Sequence, residues 1–158
     1  MDKGYWDNFY KVVNTNKEIL TEVDGRVLDA PKDESPFARF CLTKFKNDVG
    51  TIVDVGCGNG RDSFFFHKSG VSCLGIDQSH EVIKNNNSIC LDANVEPFFQ
   101  AGDFSSFSFD SLEDNNVSIY SRFTLHAINY EEENKFFEHI NSSSKINYLF
   151  IEVRSTKD

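Results

Sequence analysis

The segment Asp54-Val55-Gly56-Cys57-Gly58-Asn59-Gly60 restricts the fold of this chain more than any other. It begins inside Thr51-Ile52-Val53-Asp54-Val55, a β-branched apolar run with a single acid, which reads as a short buried strand. The glycines then allow a turn whose backbone can approach a neighbouring group closely. Residues 61–68, Arg-Asp-Ser-Phe-Phe-Phe-His-Lys, can follow as a helix whose free N–H groups face back toward the turn. Strand, glycine turn and helix make the opening unit of a nucleotide-binding α/β domain. The spacing departs from the dinucleotide fingerprint G-x-G-x-x-G. Gly56 and Gly58 fit it, but Gly60 comes one residue early and Arg61 fills the third glycine's place.

The rest of the chain alternates in the same way. Residues 70–77 read as a second strand ending in Asp77, and an acid at a strand's C-terminal edge is placed to accept ribose hydroxyls. Residues 79–94 read as a helix with Ser79 as N-cap and Val82, Ile83, Ile89 and Cys90 as its apolar face; the Asn-rich middle weakens the pattern. Residues 97–104 read as a third strand running into a Gly-Asp-Phe corner. A fourth strand is expected over 116–123, leading into Thr124-Leu125-His126-Ala127-Ile128. Residues 129–142 carry three glutamates in a first helical turn and an inward stripe of Phe136, Phe137 and Ile140, and residues 146–153 complete a fifth strand.

The run D-x-G-x-G-x-G, followed in order by Asp77 and Asp103, resembles class I S-adenosylmethionine-dependent methyltransferases over residues 35–155. The resemblance implies an α/β fold, Rossmann-like and doubly wound, with a mostly parallel sheet and helices on both faces. That family usually has seven strands. Only five are readable, so the last one or two are expected to be lacking, through truncation, a minimal natural form, or an edge covered by a second copy in a homodimer. The resemblance implies S-adenosyl-L-methionine as cofactor and S-adenosyl-L-homocysteine as product. Carried onto this sequence, the cofactor-binding residues are Asp54, Gly56, Cys57, Gly58, Gly60, Asp77, Gln78, Asp103, Phe104 and Ser121. Asp77 would hold the ribose, Asp103 the adenine amino group, and Phe104 would lie beside the ring.

Ser-Arg-Phe-x-Leu-His-Ala-Ile at 121–128 occurs here with Ser-Pro-Phe-Ala at 35–38 and Gly-Asn-Gly-Arg-Asp-Ser at 58–63. Together these resemble a bacterial subgroup tied to surface-polysaccharide and related small-molecule pathways, which implies a small-molecule or sugar acceptor. His126, just past the fourth strand, is the candidate general base, because an imidazole titrates near neutrality; the alternative is a structural hydrogen bond. Arg122 could pair with an acidic acceptor or anchor Asp62 or Glu152. Tyr10, with Tyr5 and Trp6, could form a lid over the acceptor or the apolar face of a terminal helix, and Arg39 could reach the cofactor's carboxylate or lie in solvent.

Residues 1–46 are expected to form an N-terminal helical cap and residues 47–158 the cofactor-binding core, in one domain. Residues 24–36 read as an acid-rich loop, after which Ser35 and Pro36 start a helix as N-cap and N1. The net charge of −9, with dispersed lysines and arginines, argues against a nucleic-acid partner. No run is long enough to span a membrane, no signal peptide is readable, and the four scattered cysteines suit reduced thiols, so a cytoplasmic location is expected. No His, Asp and Glu spacing suggests a metal. Two other readings are a non-catalytic or incomplete cofactor-binding module that needs a partner or further segment, and a nicotinamide oxidoreductase, against which the displaced glycine argues.

Overall fold

A computed structural model describes Gly4, Asp7, the residues of two short strands at 21–23 and 26–28, and residues 33–155. Tyr10, Tyr5 and Trp6, named for the lid, lie outside the described residues. Strands β1 (Thr21–Val23) and β2 (Arg26–Leu28) pair antiparallel. This corrects the reading of 24–36 as a loop, since β2 takes residues 26–28. The sequence signal was Asp24-Gly25, a dipeptide favoured in two-residue hairpin connections.

The core follows as α1 (Pro36–Phe45), β3 (Thr51–Val55), α2 (Arg61–Lys68), β4 (Cys73–Asp77), α3 (His80–Asp92), β5 (Phe99–Ala101), β6 (Val117–Arg122), α4 (Tyr130–Ser142) and β7 (Ile146–Glu152). Local chemistry sets the helix starts. Ser35 and Ser79 cap α1 and α3 by accepting from the N–H groups of Ala38 and Val82. At α4, Asn129 accepts from Glu131 and Glu132 while the Glu132 side chain returns to the Asn129 N–H, a capping box. The three glutamates of that turn therefore belong to a helix start. Among the described residues no cluster could hold a metal ion, and no helix is long and apolar enough to cross a membrane.

The five strands run in the order β5-β4-β3-β6-β7, every pair parallel. From the central β3 the sheet builds outward to β5, then returns to the other side of β3. Alternation along β3 divides the core. Ile52 faces α1 and α2 in a cluster with Ala38, Cys41, Leu42, Phe66 and Tyr120. Val53 and Val55 face α4 with Ile119, Phe136 and Ile140. Helices thus cover both faces, which is why β3 reads as an almost unbroken apolar run. The order reverses between β3 and β6, and their C-terminal ends open the crevice where ligands bind in such sheets.

Candidate active site

The glycine turn leaves β3 through Gly56, whose φ is +72°, and a Cβ there would sit 2.3 Å from Cγ2 of Thr124. At Gly60 (φ +73°) a Cβ would meet the Phe99 ring at 2.7 Å. Glycine is required at both places by the protein's own side chains as much as by a ligand. Four of the turn's five N–H groups are also committed internally. Those of Gly56 and Cys57 donate to the Ile76 carbonyl at 2.7 and 3.0 Å, and that of Gly60 donates to the Cys57 carbonyl at 3.0 Å. The Gly58 N–H donates to Asp77 Oδ2 at 2.9 Å. Asp77 Oδ1 accepts from the Ser79 N–H at 2.9 Å, so both carboxylate oxygens are held at the end of β4. Burial raises the Asp77 pKa above the ordinary value, and these N–H bonds work against it. Gln78 follows, half-buried, beside it.

A cleft of about 240 Å³ opens at the ends of β3 and β6, lined by Asp54, Gly56, Cys57, Asn59, Arg61, Asp62, Tyr120 and Arg122. Asp54 is 3% exposed and accepts from the Ser63 hydroxyl at 2.6 Å. Burial pushes its carboxyl up to about 7; the Ser63 bond opposes this, and the Asp62 and Asp77 carboxylates add to it. An unfolded Asp54 ionises near 3.8. Between that value and about 7 the folded state holds the extra proton, so this group's contribution to stability falls as pH rises through the window and is flat outside it. Thermal midpoints of the ligand-free wild type, relative to Asp54→Asn, are expected to fall between pH 5 and pH 7.5. A wild-type-minus-variant difference that is the same at both pH values would refute this.

Asp62, also buried, is the hub of a cluster that sequence reading did not anticipate. It accepts from the Ser35 N–H and hydroxyl and from the Tyr120 hydroxyl, each at 2.7 Å, and pairs with Arg61 at 3.3 Å. Burial first, and then Asp62, pushes the Tyr120 phenol up and keeps it a donor. Ser-Pro-Phe-Ala and Gly-Asn-Gly-Arg-Asp-Ser, distant in sequence, meet here through Ser35 and Asp62. Their common presence was the available signal.

The other expected site residues fall in several environments. Ser121 pairs in register with Val55; it is fully buried, and its hydroxyl has no partner among the described residues. Burial pushes the Cys57 thiol well above its ordinary value, which suits packing rather than nucleophilic chemistry. Asp103 is exposed and caps a single 3-10 turn by accepting from the Ser105 N–H. Phe104 is 2% exposed, and its ring packs edge-on against Phe136 in the core. The apolar demand of α4's inner face draws it inward.

Arg122 is bound to Glu152 at 2.5 Å across the β6–β7 pair and lies 4.3 Å from the Phe123 ring centre. Of the partners considered for it, the structure supplies Glu152. His126 is exposed in a 3-10 turn, and its Nε2 accepts from the Arg154 N–H at 3.0 Å. Its basic lone pair is thus occupied. Arg39 is largely exposed and paired with Glu34.

The family model described as "Methyltransferase domain" matches residues 52–146. The wheat (Triticum aestivum) protein "Phosphoethanolamine N-methyltransferase 1" is 28% identical over 141 residues, covering 89% of this chain and 27% of that protein. A "Cypemycin N-terminal methyltransferase" from Streptomyces sp is 34% identical over 86 residues, covering 54% of this chain and 34% of that one. The chain therefore spans about a quarter to a third of the length of these curated relatives. A crystal structure of an S-adenosylmethionine-dependent methyltransferase from Clostridium acetobutylicum shares the fold, with a TM-score of 0.65 at 13% identity, covering 93% of this chain and 58% of that one.

Proposed function

The chain belongs to the methyltransferase-domain family, and from that premise we propose that it binds S-adenosyl-L-methionine at the ends of β3 and β4 and methylates the amine of a small molecule. The observation that carries the reading is the charge presented by the turn. Its Gly56, Cys57, Gly58 and Gly60 N–H groups serve protein acceptors, while Asp54 and Asp62 line the cleft and Asp77 stands next to it. A dinucleotide pyrophosphate needs free donors at such a turn. A ligand bearing an ammonium and a sulfonium suits carboxylates instead, and the residues present fit that cofactor. Asp77 would hold its ribose and Asp54 its ammonium, and Ser121 offers nearby a hydroxyl that is unpartnered among the described residues. Asp103, exposed at the end of β5, remains the proposed adenine contact, and Gln78 a neighbour of the ribose.

The bound cofactor supplies an activated methyl group. The protein's task is to align the acceptor and exclude water, and the acceptor nitrogen must be neutral to attack. Among the small-molecule and sugar acceptors expected from sequence, an amine is favoured because one curated relative is named a phosphoethanolamine N-methyltransferase and the other an N-terminal methyltransferase. Arg122, at the cleft wall, remains a proposed contact for an acidic group on the acceptor, in competition with Glu152. The base role assigned to His126 from sequence is not part of this proposal. An essential general base contributes about 10²–10⁴-fold, whereas His126→Gln is expected to keep kcat within about threefold. A hundredfold drop in that variant, fully folded, would restore His126 as the base.

Calorimetric titration with S-adenosyl-L-methionine, S-adenosyl-L-homocysteine and NAD, followed by methyl-labelled turnover on a panel of primary and secondary amines and sugars, tests the whole reading. Binding of the first two alone, with label on an amine, supports it. Label on a sugar would move the acceptor class back. Binding without turnover on any acceptor favours a non-catalytic or incomplete module, and NAD binding alone refutes the assignment.

A further inference from the structure

We propose that Asn86 is a positioning residue for the cofactor: from the middle of α3 it locks Gly58 in the conformation that holds the Asp77 carboxylate. The inference rests on the methyltransferase reading above. Asn86 is completely buried, at the centre of the run Asn85-Asn86-Asn87 that makes α3 a poor helix by propensity. Its Nδ2 donates to the Gly58 carbonyl at 2.8 Å, and its Oδ1 has no partner among the described residues. The opposite amide orientation would set two oxygens against each other. A half-satisfied buried amide is a poor stabiliser, so the one bond it makes is the reason to look for a role.

That bond acts on the residue with the least intrinsic restraint. The peptide plane before Gly58 is held by its N–H to Asp77 Oδ2, and the plane after it by its carbonyl to Asn86. Together they fix both soft dihedrals of a glycine whose φ is +53°. With the Ser79 N–H on the other oxygen, the Asp77 carboxylate is anchored at both ends. Each of its oxygens keeps a lone pair for a ligand hydroxyl. Losing Asn86 would free the plane after Gly58 and let the Asp77 bond break and re-form. Neighbouring Asn87 has a separate task. It bonds both backbone groups of Phe99, at 3.0 and 3.2 Å, and so ties α3 to β5.

The test is a binding cycle on the full chain with S-adenosyl-L-homocysteine as probe, each variant checked by thermal unfolding. Asn86→Ala is expected to raise Kd about fivefold or more, while Asn87→Ala lowers the unfolding midpoint but changes Kd less than about twofold. In an Asp77→Asn background, Asn86→Ala is expected to add less than about twofold, because the two residues act through one glycine. A merely structural Asn86 would give additive effects or none on binding, and either result overturns the proposal. Should Asn86→Ala fail to fold, amide exchange in the ligand-free wild type decides: slowed exchange at Gly58 supports the clamp, and unprotected exchange overturns it. A wild type that binds no S-adenosyl-L-homocysteine overturns the methyltransferase reading and the proposal together. Normal wild-type binding with an unaffected Asn86→Ala overturns the proposal alone.

Discussion

The Asp62→Ala chain is expected to be less stable than the wild type by about 3–5 kcal/mol, the cost of removing one partner from a buried charge cluster. Asp62 is 6% exposed, and its carboxylate receives the Ser35 N–H and hydroxyl, the Tyr120 hydroxyl and the Arg61 guanidinium. Alanine would leave the Ser35 N–H and the Arg61 charge without that acceptor, in a place water reaches poorly. Ser35 and Tyr120, 3.1 Å apart, could still bond each other and recover part of the loss. Asp62→Asn keeps one oxygen acceptor and is expected to lose less. Denaturant midpoints with unchanged slopes measure both. A loss under about 1 kcal/mol in Asp62→Ala would show that the cluster is solvated and the contact between α1 and α2 looser than described.

Asp77→Ala is expected to weaken S-adenosyl-L-methionine and S-adenosyl-L-homocysteine binding by about tenfold or more, since a hydrogen bond to a charged group contributes about 1.5–3 kcal/mol. Two effects combine. The ligand loses its ribose acceptor, and Gly58 and Ser79 lose the oxygens that take up their N–H groups. The second effect makes the loss larger than a single deleted contact and predicts a slower-forming, looser turn. Calorimetry on a variant shown to be folded decides the matter. Affinity within about twofold of the wild type would mean that the ribose is held elsewhere.

What could be read from the sequence was local or periodic. The glycine turn, the strand–helix alternation and the acid ending β4 are each visible within a few residues, and the helix caps at Ser35 and Ser79 follow from one side chain each. The hydrogen bonds that complete the site join residues far apart. Ser35 to Asp62 spans 27 positions and Tyr120 to Asp62 spans 58, and no spacing rule connects them. Phe104 shows the limit from the other side. Its sequence position suggested a ring beside a ligand, and no local rule foretold that the ring would also pack against Phe136 in the core. The Asn-rich stretch of α3 looked like weak helix because propensity registers only the backbone preference. Packing turned Asn86 and Asn87 into ties to the glycine turn and to β5.

The central place of β3 has a kinetic consequence. Its backbone is bonded on one side to β4 and on the other to β6, and all five of its residues are buried, whereas β5 and β7 each pair on one side only among the described residues. In native-state exchange, edge strands are the ones expected to open in small fluctuations, and a doubly paired central strand only in the largest. The glycine turn is continuous with β3, so it inherits that persistence. A chain whose outer strands have transiently frayed would still carry a formed turn. Amides of the turn should therefore stay protected in native-state exchange after those of β5 and β7 have exchanged.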